Sequence, residues 1–396
     1  MSQTMEATAS QFSELLDREQ LTDRLVAMVR EPSENPPGEE ARVGELVASQ
    51  CQDLELDVEV HELETGRPNV VARWGSGKRV VGYCSHFDVI PAGDHKLWEQ
   101  DPYGAKIIDG RMHGRGTSDA KGPIAAALEA VAILRRAGFA PDGTLELAFV
   151  SDEETMGFIG AGYLVEQRLV RPDVAIVGEP TSLRVVHAQR GACWFQITTR
   201  GLAGHGSAPE RGRSAIKHMA EIISHLETSL PRVNHEVLGG PSINAGTIHG
   251  GTKVNVVPAS CVVEVDRRSV PPETRESVIE SVEAAVERAS KRFPDIDASV
   301  ELQFYGEPFV LDVGARLVQD VAAATGAATG RPPELIGFRG ASDARYLAQA
   351  GADVVVCGPG DISLAHTARE SIDLEELERA AVAYALAFER LLGPAS

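Results

Sequence analysis

Residues 122–154 read GPIAAALEAVAILRRAGFAPDGTLELAFVSDEE. The first half, Gly122–Ala137, is an Ala/Leu-rich run that predicts a long helix ended by Gly138. Thr144–Ser151 is a continuous apolar run of strand length. Three carboxylates follow it directly: Asp152, Glu153 and Glu154.

The same alternation extends outward on both sides. Upstream, helical periodicity in Leu21–Val29 and Ala41–Leu54 is split by the breaker Glu34-Asn35-Pro36-Pro37-Gly38, and residues 1–18 read as a polar, loosely held arm. Strand-like runs follow at Asp57–Leu63, Asn69–Trp74 and Arg79–Cys84. Downstream, Asp173–Gly178 and Val354–Cys357 read as buried strands and Leu374–Leu392 as a final helix. Strands alternating with helices predict an α/β layer architecture with a mostly parallel sheet.

Between about Val185 and Leu302 the pattern changes. It reads strand (Ala192–Thr199), helix (Ser214–Leu230) and strand (Ser242–His249), then strand (Ser260–Asp266), helix (Thr274–Arg292) and strand (Ser299–Phe304). A split β-α-β, β-α-β run of this size fits a ferredoxin-like α+β module. The expected organisation is one domain in two parts, 1–184 and 303–396, interrupted by an inserted domain at 185–302.

Composition narrows the function classes. The 396 residues carry 38 Lys plus Arg against 58 Asp plus Glu, a formal net charge of −20. Nucleic-acid binding runs on Lys and Arg neutralising phosphates, so this acidity argues against it and against a polybasic membrane surface. No secretory signal and no apolar run of membrane-spanning length is visible. Five scattered cysteines (Cys51, Cys84, Cys193, Cys261, Cys357) without a Cys-x-x-Cys pair suit structural thiols in a reducing cytoplasm.

Five short motifs fall at strand ends or helix starts, where open α/β sheets place functional groups. His86-Phe87-Asp88 follows a strand; residues two apart share a face, so Asp88 can hold the His86 ring. Gly114-Arg115-Gly116-Thr117-Ser118-Asp119-Ala120-Lys121-Gly122 opens the long helix, with Asp119 at a plausible N-cap. It is no dinucleotide fingerprint, since Asp119 stands where the third glycine is needed. Asp152-Glu153-Glu154 crowds carboxylates that repel unless a cation neutralises them. Gly178-Glu179-Pro180-Thr181 and Gly358–Thr367, which contains His366, complete the set. Mixed imidazole and carboxylate donors suit zinc, and also cobalt or manganese.

In order and spacing, these five motifs resemble the acetylornithine deacetylase, succinyl-diaminopimelate desuccinylase and carboxypeptidase G family of metallo-amidohydrolases. The resemblance covers nearly the whole chain. It implies a metallopeptidase catalytic domain holding two divalent ions, with Asp119 as the bridging carboxylate. His86 and Glu179 would complete one site and Glu154 and His366 the other, with Asp88 orienting His86 and Glu153 as general acid/base. It further implies that the inserted module is a dimerisation (lid) domain. There His205, in Gly204-His205-Gly206, would reach the partner subunit's site, while Asn255 and Arg268 would hold substrate. Arg267 reads as the solvated neighbour of Arg268. Phe87 and Met156-Gly157-Phe158 depart from the family pattern without removing a ligand.

The expected function is metal-dependent hydrolysis of an amide bond in an N-acyl amino acid or dipeptide, by a cytoplasmic homodimer that binds neither nucleic acid nor membrane. One alternative is an aminohydrolase of an aromatic or heterocyclic substrate on the same scaffold. A non-catalytic acidic binding protein is the other, which the intact ligand set and Glu153 weigh against.

Overall fold

The computed structural model describes residues 2–393, with side chains from residue 5. The chain forms two compact units: one comprises residues up to His187, Leu311–Ile336 and the chain from Ser342 onward, and the other Ala188–Val310 with Gly337–Ala341.

In the first unit, the strands Asp57–Glu62, Pro68–Gly75, Thr144–Val150, Val80–His86, Val174–Val177, Asp353–Val356 and Val185–Gln189 lie side by side in that order. The four from Thr144–Val150 to Asp353–Val356 run parallel. Pairings outside them are antiparallel. All seven residues of Thr144–Val150 are buried, as in a strand covered on both faces, and its one charged residue, Glu146, is paired with Arg73. The helix Lys121–Arg136 is buried from Lys121 to Leu134 and packs against Leu374–Leu392. Tyr83 of the central strand meets Tyr384 and Phe388 of that last helix edge-on, at centroid distances of 5.1 and 6.0 Å.

Two expectations fail here. Residues 2–15 are not a loose arm but the helix Ser2–Leu15, with Ala9 and Phe12 buried in the main core. Its buried positions are few and widely spaced, so the run looked polar throughout. Asp119 is also not an N-cap: the long helix starts at Lys121 after Ala120, and no side chain caps it. The helix Arg316–Thr329 and the small sheet of Lys106–Ile108, Arg111–His113 and Ser371–Asp373 are further elements of this unit.

The second unit is a four-stranded antiparallel sheet in the order Ser242–Gly250, Ser260–Ser269, Gly191–Arg200, Asp297–Gly306. The helices Ala215–Leu226 and Arg275–Ser290 pack on it through Met219, Ile222, Val278 and Val282, against Phe195, Ile197, Val263 and Val265. Pairing of the last strand continues to Gly306 opposite Ala192, so this unit extends beyond Leu302 and also takes in the return segment 337–341. All five cysteines are free and buried.

Phe12 tests the N-terminal correction. It is 1% exposed within the core, so Phe12→Ala should lower stability by about 3–5 kcal/mol, the range for deleting a buried aromatic ring. Denaturant titration should show that loss; an unchanged midpoint would return the segment to a loose arm.

Candidate metal centre

Each of the four parallel strands delivers a titratable group just at or beyond its C-terminal end. His86 closes Val80–His86, Glu153 and Glu154 follow Thr144–Val150, and Glu179 follows Val174–Val177. His366 lies in the loop between Asp353–Val356 and Ser371–Asp373, and its backbone is left-handed, with φ of 62°. Asp119 comes from the loop ahead of the long helix. Sidedness of a parallel sheet thus gathers residues up to 280 positions apart in sequence (366 − 86).

Asp119 lies between the two imidazoles. Its Oδ1 is 3.2 Å from His86 Nε2 and its Oδ2 is 3.2 Å from His366 Nε2. His366 Nε2 is also 3.0 Å from Glu154 Oε2, and His86 Nε2 is 3.9 Å from both Glu179 Oε1 and Glu153 Oε2. Two three-residue groups result, His86–Asp119–Glu179 and Asp119–Glu154–His366, each with donor atoms within 4.8 Å of one another. Asp119 belongs to both. Glu179 Oε1 is buried without a hydrogen-bond partner, a costly condition for a carboxylate that a cation would relieve. This mixed imidazole and carboxylate donor set suits divalent cations, with Asp119 common to both groups.

The electrostatics express the same crowding. Burial pushes Glu179 well above the usual carboxylate range, and neighbouring Glu153 and Asp119 add to it. Burial also pushes Glu153 up to about 7, with Glu154 reinforcing the shift. For Asp119, burial acts upward, but hydrogen bonds from His366 and His86 outweigh it and hold the carboxyl below its ordinary value. His366 is pushed up to about 10 by its bonds to Asp119 and Glu154. Half exposed, His366 is the most open member of the cluster.

Surrounding residues fix these groups in place. His86 Nδ1–H donates to the Asp88 carbonyl oxygen at 3.0 Å, which turns Nε2 toward Asp119 and the other carboxylates. Asp88 thus meets His86 chiefly through its backbone carbonyl. Its carboxylate, 3.4 Å from Nδ1, accepts the Glu153 and Glu154 backbone N–H groups at 3.2 and 3.1 Å, and Asn35 Nδ2 at 2.9 Å. The adjacent carboxylates divide: Asp152 turns away to pair with Arg67 at 3.2 Å and to accept Ile159 N–H.

Sequence reasoning missed Glu370. Fully buried, its Oε1 accepts the N–H groups of Gly116, Ser118 and Asp119 at 2.9, 3.1 and 3.2 Å, while Oε2 takes the Arg115 guanidinium. It shapes the whole loop that presents Asp119. Gly116 makes that turn at φ of 83°, where a Cβ would lie 2.8 Å from Val89 Cγ1. Also missed was Asp343, 2% exposed with neither carboxylate oxygen hydrogen-bonded, and pushed up to about 8 by burial and by Glu153. Arg345 and Tyr346 clamp the turn after Glu154 by donating to the Met156 carbonyl. Nothing in the spacing of Gly340-Ala341-Ser342-Asp343 distinguishes it from an ordinary loop.

The remaining residues lie in the second unit. His205 and Asn255 are exposed, and His205 Nδ1 is 2.7 Å from Ser207 Oγ. Arg268 donates from Nε and Nη2 to the Asp266 carboxylate two positions away, on the same strand face. The expectation for Arg267 is overturned. It is fully buried and paired with Glu273, because strand alternation puts it on the inner face with Val263 and Val265.

The model of peptidase family M20/M25/M40 matches residues 82–390. The chain is 30% identical over 364 residues to a succinyl-diaminopimelate desuccinylase of Marinobacter nauticus, covering 89% of this chain and 93% of that protein. It is 33% identical to an acetylornithine deacetylase of Myxococcus xanthus, over 81% of this chain and 82% of that one. Among solved structures, aminopeptidase PepT from Bacillus cereus superposes with a TM-score of 0.78 at 25% identity, over 95% of this chain and 99% of the other. Human carnosine dipeptidase 1, at 16% identity, shares the fold with a TM-score of 0.76 over 98% and 99% of the two chains. With its ligand groups at the strand ends and a family match over most of its length, the chain belongs to peptidase family M20/M25/M40 and is a hydrolase acting on C–N bonds.

Proposed function

We propose that the protein hydrolyses the amide bond of N-acyl amino acids or dipeptides at a centre of two divalent ions, with Glu153 as general acid/base. The observation carrying this reading is the division of labour at Asp119. One carboxylate serves two ligand groups, while Glu153 stands 3.9 Å from His86 outside both. His86, Asp119 and Glu179 would hold one ion and Asp119, Glu154 and His366 the other, zinc being favoured by the mixed donors and cobalt or manganese compatible with them. Divalent ions there supply Lewis acidity, which lowers the pKa of a water and polarises a carbonyl. Glu153, pushed up to about 7, is matched to accepting a proton from the attacking water and passing it to the leaving amine near neutral pH.

The named relatives support the substrate class, since one removes an acetyl group from acetylornithine and the other a succinyl group from succinyl-diaminopimelate. In this reading His205 and Asn255 contact the substrate, with His205 acting across a homodimer. The edge strand Ser242–Gly250 supports dimerisation: it is exposed along almost its whole length, and Ile248 is 54% exposed. An open sheet edge of this kind pairs readily with another chain. Arg268 is the proposed partner of the substrate's free carboxylate, its guanidinium held meanwhile by Asp266. No helix among the described residues is long and apolar enough to cross a membrane, and the buried free thiols support a cytoplasmic setting.

Chelation should abolish activity, and zinc, cobalt or manganese should restore it. Glu153→Gln should lower turnover about 10²–10⁴-fold with metal content unchanged, whereas Glu154→Gln should lose metal. Elemental analysis beside kinetics separates the two roles; full activity in metal-free protein would overturn the reading.

Asp88→Asn keeps the shape of the side chain but weakens its hold on the Glu153–Glu154 turn. Metal affinity should fall by about 10–100-fold, the scale for losing a residue that orients ligands. Titration with a competing chelator measures it, and wild-type affinity would leave the Asp88 carboxylate without a positioning role.

Substrates whose carboxylate is capped as an amide should lose about 10²-fold in kcat/KM, the scale of unpairing a buried charge. Arg268→Ala should impose a similar loss on the acid and little further loss on the amide. Equal efficiency on both would favour the aromatic or heterocyclic aminohydrolase reading.

A further inference from the structure

The second unit contains a cavity of about 330 Å³ bounded by three segments and, on one side, by Phe293 and Asp295. Gly206, Pro209 and Gly212 come from the loop that carries His205; Val256–Pro258 directly follow Asn255; Arg213, Ser214, Lys217 and His218 stand at the start of the helix Ala215–Leu226. We propose that this cavity is a binding site for a small oxyanion, of the phosphate or phosphate-monoester class, that braces the His205 loop against the helix.

The first support is charge. Arg213 and Lys217 have no acidic partner among the described residues, and Arg213 Nε is buried without a hydrogen bond. The two cations thus face one small cavity without a carboxylate at ion-pair distance. The only carboxylate on the cavity wall is Asp295, whose side chain is 60% exposed and 3.7 Å from His218 Nε2. The second is His218 itself, 4% exposed, lining the cavity, with Nδ1 buried and unpartnered. A buried imidazole nitrogen without a partner, on a wall that also carries Arg213, Ser214 and Lys217, is a place for a bound polar ligand.

The helix end adds to this field. Ser214 Oγ accepts the Lys217 N–H at 3.3 Å, and the Ala215 N–H donates to the Pro258 carbonyl at 2.9 Å, so the backbone donors there are partly engaged. The helix therefore contributes mainly the positive end of its dipole, while the side chains supply the hydrogen bonds. The volume lies at the small end of the range for ligand cavities, which suits a compact ion or ester.

The site is built into the loop. Leu202 and Arg213 exchange backbone hydrogen bonds of 2.8 and 2.9 Å and close its base, and the Gly206 N–H donates to the Asn255 carbonyl at 2.8 Å. An anion gripped by Arg213 and Lys217 is thus one bonded step from both His205 and Asn255. Its binding should restrict the loop, and this holds whether or not His205 acts on substrate.

Inorganic phosphate is the probe, titrated into full-length, metal-loaded protein at constant ionic strength with chloride as the balancing ion. Calorimetry should resolve one saturable event per chain that Lys217→Glu and Arg213→Gln each weaken by about tenfold to a hundredfold, the loss expected for one charge-assisted hydrogen bond. Phosphate held at the metal centre would be unaffected by either substitution. Amide exchange in residues 203–212 should slow on adding phosphate to the wild type and not to the variants. Lys217 is exposed, so its variant tests the site even if Arg213→Gln folds poorly. Phosphate binding that both variants retain in full, or loop exchange indifferent to phosphate, would overturn the proposal.

Discussion

Negative charge concentrated at one end of a parallel sheet is the constraint around which the first unit is organised. Asp119, Glu153, Glu154 and Glu179 crowd together with only two imidazoles among them, and burial drives three of the four carboxyls upward. A cluster of this kind persists only when opposite charge enters it or protons remain bound. Asp119 is the exception because both of its oxygens already face a histidine. It is the carboxylate that can remain ionised and belong to two ligand groups at once.

The surrounding structure works against the cluster's tendency to spread. Glu370 gathers three backbone N–H groups of the loop that carries Asp119, and Arg115 balances its charge. Asp88 draws in the N–H groups of Glu153 and Glu154 while its carbonyl accepts the Nδ1–H of His86. Arg67 pulls Asp152 out of the cluster, which leaves two carboxylates rather than three at that strand end. Each device uses a buried charge on a backbone donor or a guanidinium, where charge-assisted hydrogen bonds are strong. The left-handed backbone at Asp152, Met156 and His366 marks where the chain bends to meet these demands.

The second unit follows a different logic. Its sheet has one face covered by two helices, so apolar and polar residues alternate along the strands, and its outer strand remains open. Alternation also explains why adjacent arginines differ: Arg267 is sealed against Glu273, and Arg268 shares the other face with Asp266.

Largely apolar runs and Ala/Leu periodicity made the sheet strands and the long helix legible in the sequence, because burial on every side admits few polar residues, such as Glu129 and Glu146. The ligand-type residues were legible for a related reason. His86, Glu153, Glu154 and Glu179 sit at or just beyond strand ends and His366 in the loop after a strand, and motif order marks those points. The helix Ser2–Leu15 was not legible, since one buried aromatic in a polar segment leaves too weak a period. Glu370, Asp343 and the true use of the Asp88 carboxylate were equally hidden. Their roles rest on hydrogen bonds and charges contributed by segments as far as 254 residues away (370 − 116), and no local pattern encodes such a pairing. The sequence by itself determined which residues can bear charge and where strands end. Only the tertiary structure decided that Asp119 lies within reach of both ligand groups while Glu153 lies outside them, because that depends on distances of a few ångströms set by packing.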